Sequence, residues 1–97
     1  MTAYSMGNAA ELLGVEPAFL RALGRGGLLQ PERSNGGHRR YSVTDLDLAA
    51  RARRVVDEGM SLAAACRIVA LEYQLQQAEA AIELLQRSLE RAPRARR

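Results

Sequence analysis

The sequence predicts a mainly α-helical chain: a small head of short helices carrying a basic hairpin, followed by one long helix. Three observations predict it. Capping residues and apolar spacing mark three short helices before residue 60. A glycine-rich turn, Ser34-Asn35-Gly36-Gly37, stands between polar arms and runs into His38, Arg39 and Arg40. From Ser61 to Ala92 no Gly or Pro interrupts the chain.

Ninety-seven residues make one domain, with room for an appendage. Apolar residues are 47% of the chain, a globular proportion, but there is no Trp and only one Phe. The core must therefore be built from Leu, Ala and Val, and so small a core often needs a partner subunit. The single Cys66 excludes an intramolecular disulfide. No apolar run approaches the ~20 residues that span a bilayer, and Met1 to Val15 is too polar for a signal peptide. A cytoplasmic protein is expected. One His, no pocket-forming pair of acids and no phosphate-loop glycine pattern leave no assembled catalytic group, so neither an enzyme nor a cofactor is expected.

The charge is segregated. Residues 1–56 hold eight Arg against five acids, a balance of +3, whereas residues 57–92 hold three Arg against six acids, a balance of −3. The last five residues add three Arg. A basic front and an acidic rear place any anion-binding work at the front.

Taken in order, Ser5 can cap a first helix whose Met6, Ala9, Ala10 and Leu13 share a face, and Gly14 can stop it. Pro17 suits the first position of a second helix, with Leu20 and Leu23 as its inner stripe, ending in Gly24-Arg25-Gly26-Gly27. Two short helices joined by a tight turn are the outline of a helix-turn-helix, although ordinary αα-corners share that outline. Pro31 limits Leu28–Arg33 to an edge strand. Asn35-Gly36 followed by Gly37 supplies the positive φ that a tight hairpin needs. Beside it, guanidinium groups suit phosphate oxygens, which they grip in a bidentate fork, so the hairpin reads as a nucleic-acid finger or as a solvated surface turn.

Ser42 and Asp45 resemble a capping box for a third helix, with Leu46, Ala49, Ala52 and Val56 inward and Arg51, Arg53 and Arg54 mostly outward. Gly59 ends it and Ser61 caps the next. There, Ile68, Leu71, Leu75, Ala78, Ile82, Leu85 and Leu89 recur at alternating steps of three and four, a heptad seam. A single amphipathic helix folding back on the core is the simpler source of such a stripe. The length argues for a second helix, most simply its own copy: about 48 Å of rod cannot bury its seam on so small a head. The flanking residues form no clean ion-pair pattern, so helix orientation is not set by charge. Cys66, among small apolar neighbours, reads as a buried thiol.

With these residues in view, the chain resembles the MerR family of bacterial transcription regulators from about Tyr4 to Leu71. The marks are Tyr4–Val15, Val15-Glu16-Pro17-Ala18-Phe19-Leu20-Arg21, Gly27–Arg33, Gly37-His38-Arg39-Arg40-Tyr41-Ser42 and Gly59-Met60-Ser61-Leu62. The resemblance implies a winged helix-turn-helix followed by a long C-terminal coiled-coil dimerisation helix. It also implies a homodimer, joined through an antiparallel coiled coil, that binds double-stranded promoter DNA at inverted repeats, bending or twisting it, with RNA polymerase as a further partner. The expected division is 1–70 for the DNA-binding domain, 71–92 for the dimerisation helix and 93–97 for a basic tail. Where family recognition helices carry aromatic residues and an acid, this chain has Ala22, Leu23 and Gly24. Only Arg91–Arg97 follows the seam, so no small-molecule or metal effector is expected.

The expected DNA-binding residues are Ala18, Phe19, Arg21, Arg25, Arg33, Asn35, His38, Arg39 and Arg40. Arg21 leads on the second helix and Arg39 on the hairpin, with Tyr41 packed inward beneath it. Phe19 reads either as buried at the helix interface or as exposed against a thymine methyl, and the exposed reading is preferred because Leu20 and Leu23 already define the inner stripe. Because Ala18, Phe19 and Ala22 offer few hydrogen bonds to base edges, selectivity is expected to rest on phosphate placement and DNA deformability. The chain also resembles excisionases, which implies an excisionase-like or architectural DNA-binding protein as the alternative, and the long helix leaves open a protein-interaction module.

Overall fold

The computed structural model describes residues 3–92, so the basic tail at 93–97 lies outside the described residues. In chain order the elements are β1 (Tyr4–Ser5), α1 (Met6–Leu13), α2 (Pro17–Arg25), β2 (Glu32–Arg33), β3 (Arg39–Tyr41), α3 (Val43–Asp57) and α4 (Leu62–Arg91). The fold class is as the sequence predicts: a mainly helical head with a small sheet, then one long helix.

Local chemistry sets the helix ends. Ser5 Oγ accepts from the Asn8 amide at 3.2 Å, and Gly14 takes φ 69° while its N–H donates to the carbonyls of Ala10 and Glu11. Pro17 opens α2 with an amide that needs no partner. At α3 the capping box is complete: Ser42 Oγ accepts from the Asp45 amide at 3.0 Å, and Asp45 Oδ2 accepts from the Ser42 amide at 2.9 Å. Ser61 Oγ accepts from the Ala64 amide at 3.0 Å to start α4. Each such cap contributes about 1 kcal/mol.

The sheet differs from expectation in one strand and one turn. Tyr4–Ser5 forms β1 and pairs antiparallel with β3 (Tyr4↔Tyr41, Ser5↔Arg40), so the returning hairpin arm is a central strand. β2 pairs on its other edge (Glu32↔Arg40, Arg33↔Arg39) and is the edge strand that Pro31 requires. In the turn, positive φ falls on Gly37 (83°) and on neither Asn35 nor Gly36. Ser34 O accepts from the Gly37 amide at 2.9 Å and the Ser34 amide donates to His38 O at 2.8 Å. This is the three-residue hairpin in which a left-handed residue follows the turn, not the two-residue Asn-Gly type.

The core lies where α1, α2, α3 and the first half of α4 meet. Leu20, Leu23, Tyr41 and Val69 are its largest fully buried side chains, with Ala9, Ala49, Ala52 and Ala65 packed between them. On α3 the inward residues are Leu48, Ala49 and Ala52, with Leu46 and Val56 only partly covered. The stripe is displaced from the expected one because α3 is packed on α4 as well as on α1 and β3.

Two faces of α4 are used differently. Ala65, Cys66 and Val69 are buried against the head, and Tyr73 packs beside them. Arg51 ties the helix to α3, donating to Gln76 Oε1 at 3.0 Å and pairing with Asp47 at 2.9 Å. At about 100° per residue the predicted seam stands on the opposite side. In the single chain its residues Leu71, Leu75, Ile82, Leu85 and Leu89 are 54% to 76% exposed, Ala78 is exposed and Ile68 is half-buried. The helix is unbroken across residues 70 and 71, and beyond Gln76 it projects as a free rod. It does not fold back on the core.

Gly26 ends α2 hard against α4. A Cβ placed on Gly26 would lie 2.8 Å from Cys66 Sγ, closer than side chains pack. Burial also pushes the Cys66 thiol up from its ordinary pKa, which keeps it protonated and unreactive. Gly26→Ala is expected to cost about 1–3 kcal/mol from overpacking, and adding Cys66→Ala should recover part of that loss. Urea melts of the two single variants and the double variant form the cycle; strictly additive effects would contradict the contact.

Candidate nucleic-acid interface

The first helix, the second helix and the hairpin meet around one cleft. Its volume is about 390 Å³, and Ser5, Met6, Gly7, Arg21, Arg33, Gly37, His38, Arg39 and Arg40 line it. A second, smaller cleft of about 250 Å³ continues from it, lined by Arg21, Gly24, Arg25, Leu29, Pro31, Arg33 and Arg39. Arg21, Arg33 and Arg39 border both, so the five arginines and His38 form one continuous basic surface. Among the described residues the ion pairs are Arg51–Asp47, Arg53–Asp57 and Arg87–Glu83, and none of these cleft arginines takes part. Their charge is left for an external anion.

Each arginine is placed by a local device. Arg21 Nη1 donates to the Met6 thioether at 3.3 Å, drawing the guanidinium toward the start of α1. There the first free amides of a capped helix carry partial positive charge. Arg33 Nη1 donates to Gly37 O at 2.9 Å, which stiffens the hairpin from inside its own turn and leaves its other donors free. Arg39 and Arg40 point to opposite faces of β3, as alternation requires. Arg39 is half-buried on the Tyr41 side and Arg40 is exposed, yet both reach the cleft.

The structure thus brings together Arg21, Arg25, Arg33, His38, Arg39 and Arg40. Asn35 is exposed near the hairpin tip and Ala18 is exposed on α2, and neither borders a cleft. Phe19 does not take the preferred exposed reading. It is half-buried, packs against the core, and lies under the Arg53 guanidinium at 4.8 Å from its ring centroid. Sequence reasoning also missed Ser5, Met6 and Gly7. Their signal was present, since a helix start is an anion site, but nothing local said that it faces the hairpin.

Once the chain is seen as a helix-turn-helix flanked by a basic wing, the comparison with known proteins is decisive. Residues 4–72 match the profile of the MerR HTH family regulatory proteins. The chain belongs to the MerR family. It is 38% identical to HspR of Streptomyces coelicolor over 95 residues, which are 97% of this chain and 63% of HspR. It is also 38% identical to the HTH-type transcriptional regulator MlrA of Escherichia coli K12 over 63 residues, 64% of this chain and 26% of MlrA. The chain therefore spans less than two thirds of either relative. Among solved structures, HiNmlR superposes with a TM-score of 0.64 at 26% identity, covering 92% of this chain and 80% of that one. HiNmlR is a MerR family regulator lacking the sensor domain, and it is bound to promoter DNA. Among the described residues of this MerR-family chain, no cluster of His, Cys, Asp or Glu could hold a metal, and no helix is long and apolar enough to cross a membrane.

Beneath the wing, Tyr41 fills the core, but its hydroxyl is buried without a hydrogen-bond partner among the described residues. Burial raises its pKa above the ordinary 10.0, a rise that Asp45 assists and that Arg39, Arg21 and Arg33 oppose. A raised tyrosine pKa means that the folded state holds the proton longer than the unfolded chain. The stability it contributes is intact below pH 10 and is lost as pH climbs through the folded value. Tyr41→Phe should therefore melt no lower than the wild type at neutral pH and soften the decline above pH 10. Tyr41→Ala should cost about 3–5 kcal/mol. Thermal melts by circular dichroism from pH 7 to 11 check both.

Proposed function

We propose that the chain is a sequence-selective DNA-binding transcription regulator that acts as a homodimer on promoter DNA and catalyses no reaction. One observation carries this reading: arginines from α2 and the wing, none of them in an ion pair among the described residues, converge on a cleft that also opens on the start of α1. That arrangement matches a phosphate backbone running past a helix lodged in the major groove. Membership of the MerR family and the promoter-bound state of HiNmlR support it.

In this reading Arg21 and Arg25 of α2 contact phosphate or the major-groove edge. Arg33, His38, Arg39 and Arg40, with Asn35 at the tip, follow the adjacent backbone. Exposed Ala18 on α2 offers a base edge no hydrogen bond, so base contacts are few and selectivity comes from phosphate register and DNA shape. Residues 1–70 act as the DNA-binding unit and 71–92 as the dimerisation helix. Ile68, Leu71, Leu75, Ala78, Ile82, Leu85 and Leu89 then meet a second copy, because an apolar face of this length is costly to leave in water. RNA polymerase is the further partner that a promoter site brings within reach.

Two measurements test these assignments. Arg39→Ala should weaken binding to all duplexes alike and lower the slope of log K against log salt by about one ion; an unchanged slope would remove Arg39 from the phosphate contacts. Ile82→Asp should shift the mass in solution from dimer to monomer by light scattering and reduce operator affinity with it, since both half-sites must be held together. A dimer that persists in Ile82→Asp would refute the seam, and a wild type that leaves no footprint on genomic DNA would refute the function.

A further inference from the structure

Phe19 is the residue whose expected role the structure changed, and what covers it supplies a new role. Arg53, on α3, places its guanidinium carbon 4.8 Å from the Phe19 ring centroid, within cation–π range. The guanidinium does not float there. Arg53 Nε and Nη2 both donate to Asp57 Oδ1, at 3.0 and 2.7 Å, so one carboxylate one turn along α3 fixes the plane of the group. Phe19 is the third residue of α2, between exposed Ala18 and the inner Leu20, and two residues before Arg21.

We propose that Arg53 is a positioning residue for the recognition helix: held by Asp57, it clamps Phe19 and so sets the angle at which α2 presents Ala18 and Arg21. This rests on the DNA-binding reading above. The inner face of α2 is secured by Leu20 and Leu23, near its middle and its end. Its first turn has no side-chain cap, since Glu16 makes no capping hydrogen bond. Without a cap, the Arg53–Phe19 contact adds a restraint from α3 on that turn to the burial of Leu20 at its end. Both members of the ion pair are substantially exposed, with side-chain exposures of 37% and 62%, so the pair adds little to global stability. Its effect is on orientation, and a small tilt at the start of α2 displaces every side chain that faces the groove.

The experiment uses the full chain, the tightest duplex recovered by the wild type from a random 30-base-pair library, and a scrambled duplex of equal length. Arg53→Gln removes the charge at similar length; Asp57→Asn weakens the tether without touching Arg53; Arg53→Lys keeps a cation over the ring. Arg53→Gln should lose about three- to tenfold in affinity for the selected duplex. It should bind the scrambled duplex like the wild type, with an unchanged salt slope. Asp57→Asn should show a smaller loss of the same kind, and Arg53→Lys should restore most of it. Without DNA, amide hydrogen exchange at Ala18–Ala22 should quicken in Arg53→Gln while Val69 stays protected. A salt slope lower by one ion, with both duplexes weakened equally, would make Arg53 a phosphate contact and overturn the positioning role. Unaltered exchange in α2 would overturn it as well, independently of any DNA result. A wild type that prefers neither duplex would instead sink the DNA-binding reading, leaving exchange to decide the clamp.

Discussion

The pairing of β3 along both of its edges is the constraint on which the rest of the head depends. The strand is three residues long, yet β1 ties it to the start of α1 and β2 ties it to the wing. Tyr41 at its end fills the core, and Ser42, the next residue, caps α3. Arg39 and Arg40 are therefore held in fixed relation to the first amides of α1 and to Arg21. A hairpin with one free edge would swing about its base, and isolated two-stranded hairpins are marginal in water. Here the third strand turns a flexible finger into part of the head.

Most of the helical framework was legible in the sequence because its signals are local. Ser5, Gly14, Pro17, the Ser42–Asp45 box and Ser61 each act within a turn of their own position, and the structure uses every one as read. What escaped was non-local. Two residues cannot announce a strand, and Tyr4–Ser5 becomes one only because Tyr41 and Arg40 arrive beside it from far along the chain. The arginines of the interface could be chosen by residue type and by motif, whereas their convergence with Ser5, Met6 and Gly7 required the tertiary fold. Phe19 was misjudged for the same reason. Its face on α2 is outside the Leu20–Leu23 stripe, and its cover comes from a side chain on a different helix. The Asn-Gly pair misled in a smaller way, since the turn needed only one left-handed residue and Gly37 supplied it.

Charge is distributed by the same division of labour. Three arginines on α3 and α4 are paired with acids one turn away on their own helix, in Arg51–Asp47, Arg53–Asp57 and Arg87–Glu83. Those on α2 and the wing are not paired so. Positive potential therefore accumulates on one side of a molecule whose net charge is only +3. For a polyanion, this gradient matters more than the total, because it orients the approach as well as speeding it.

α4 serves two surfaces that stand back to back, with Val69 and Cys66 against the head and Leu71 and Ile82 exposed on the other side. A helix used in this way behaves as a crankshaft. Each residue inserted just after Gln76, which is tied to α3, would rotate the rest of the seam, from Ala78 to Leu89, by about 100° relative to the head and advance it by about 1.5 Å. Length changes at that point are therefore tolerable only in whole heptads, and drift of this chain should accumulate in loops such as Glu58–Met60 before it reaches the span from Gln76 to Ala78.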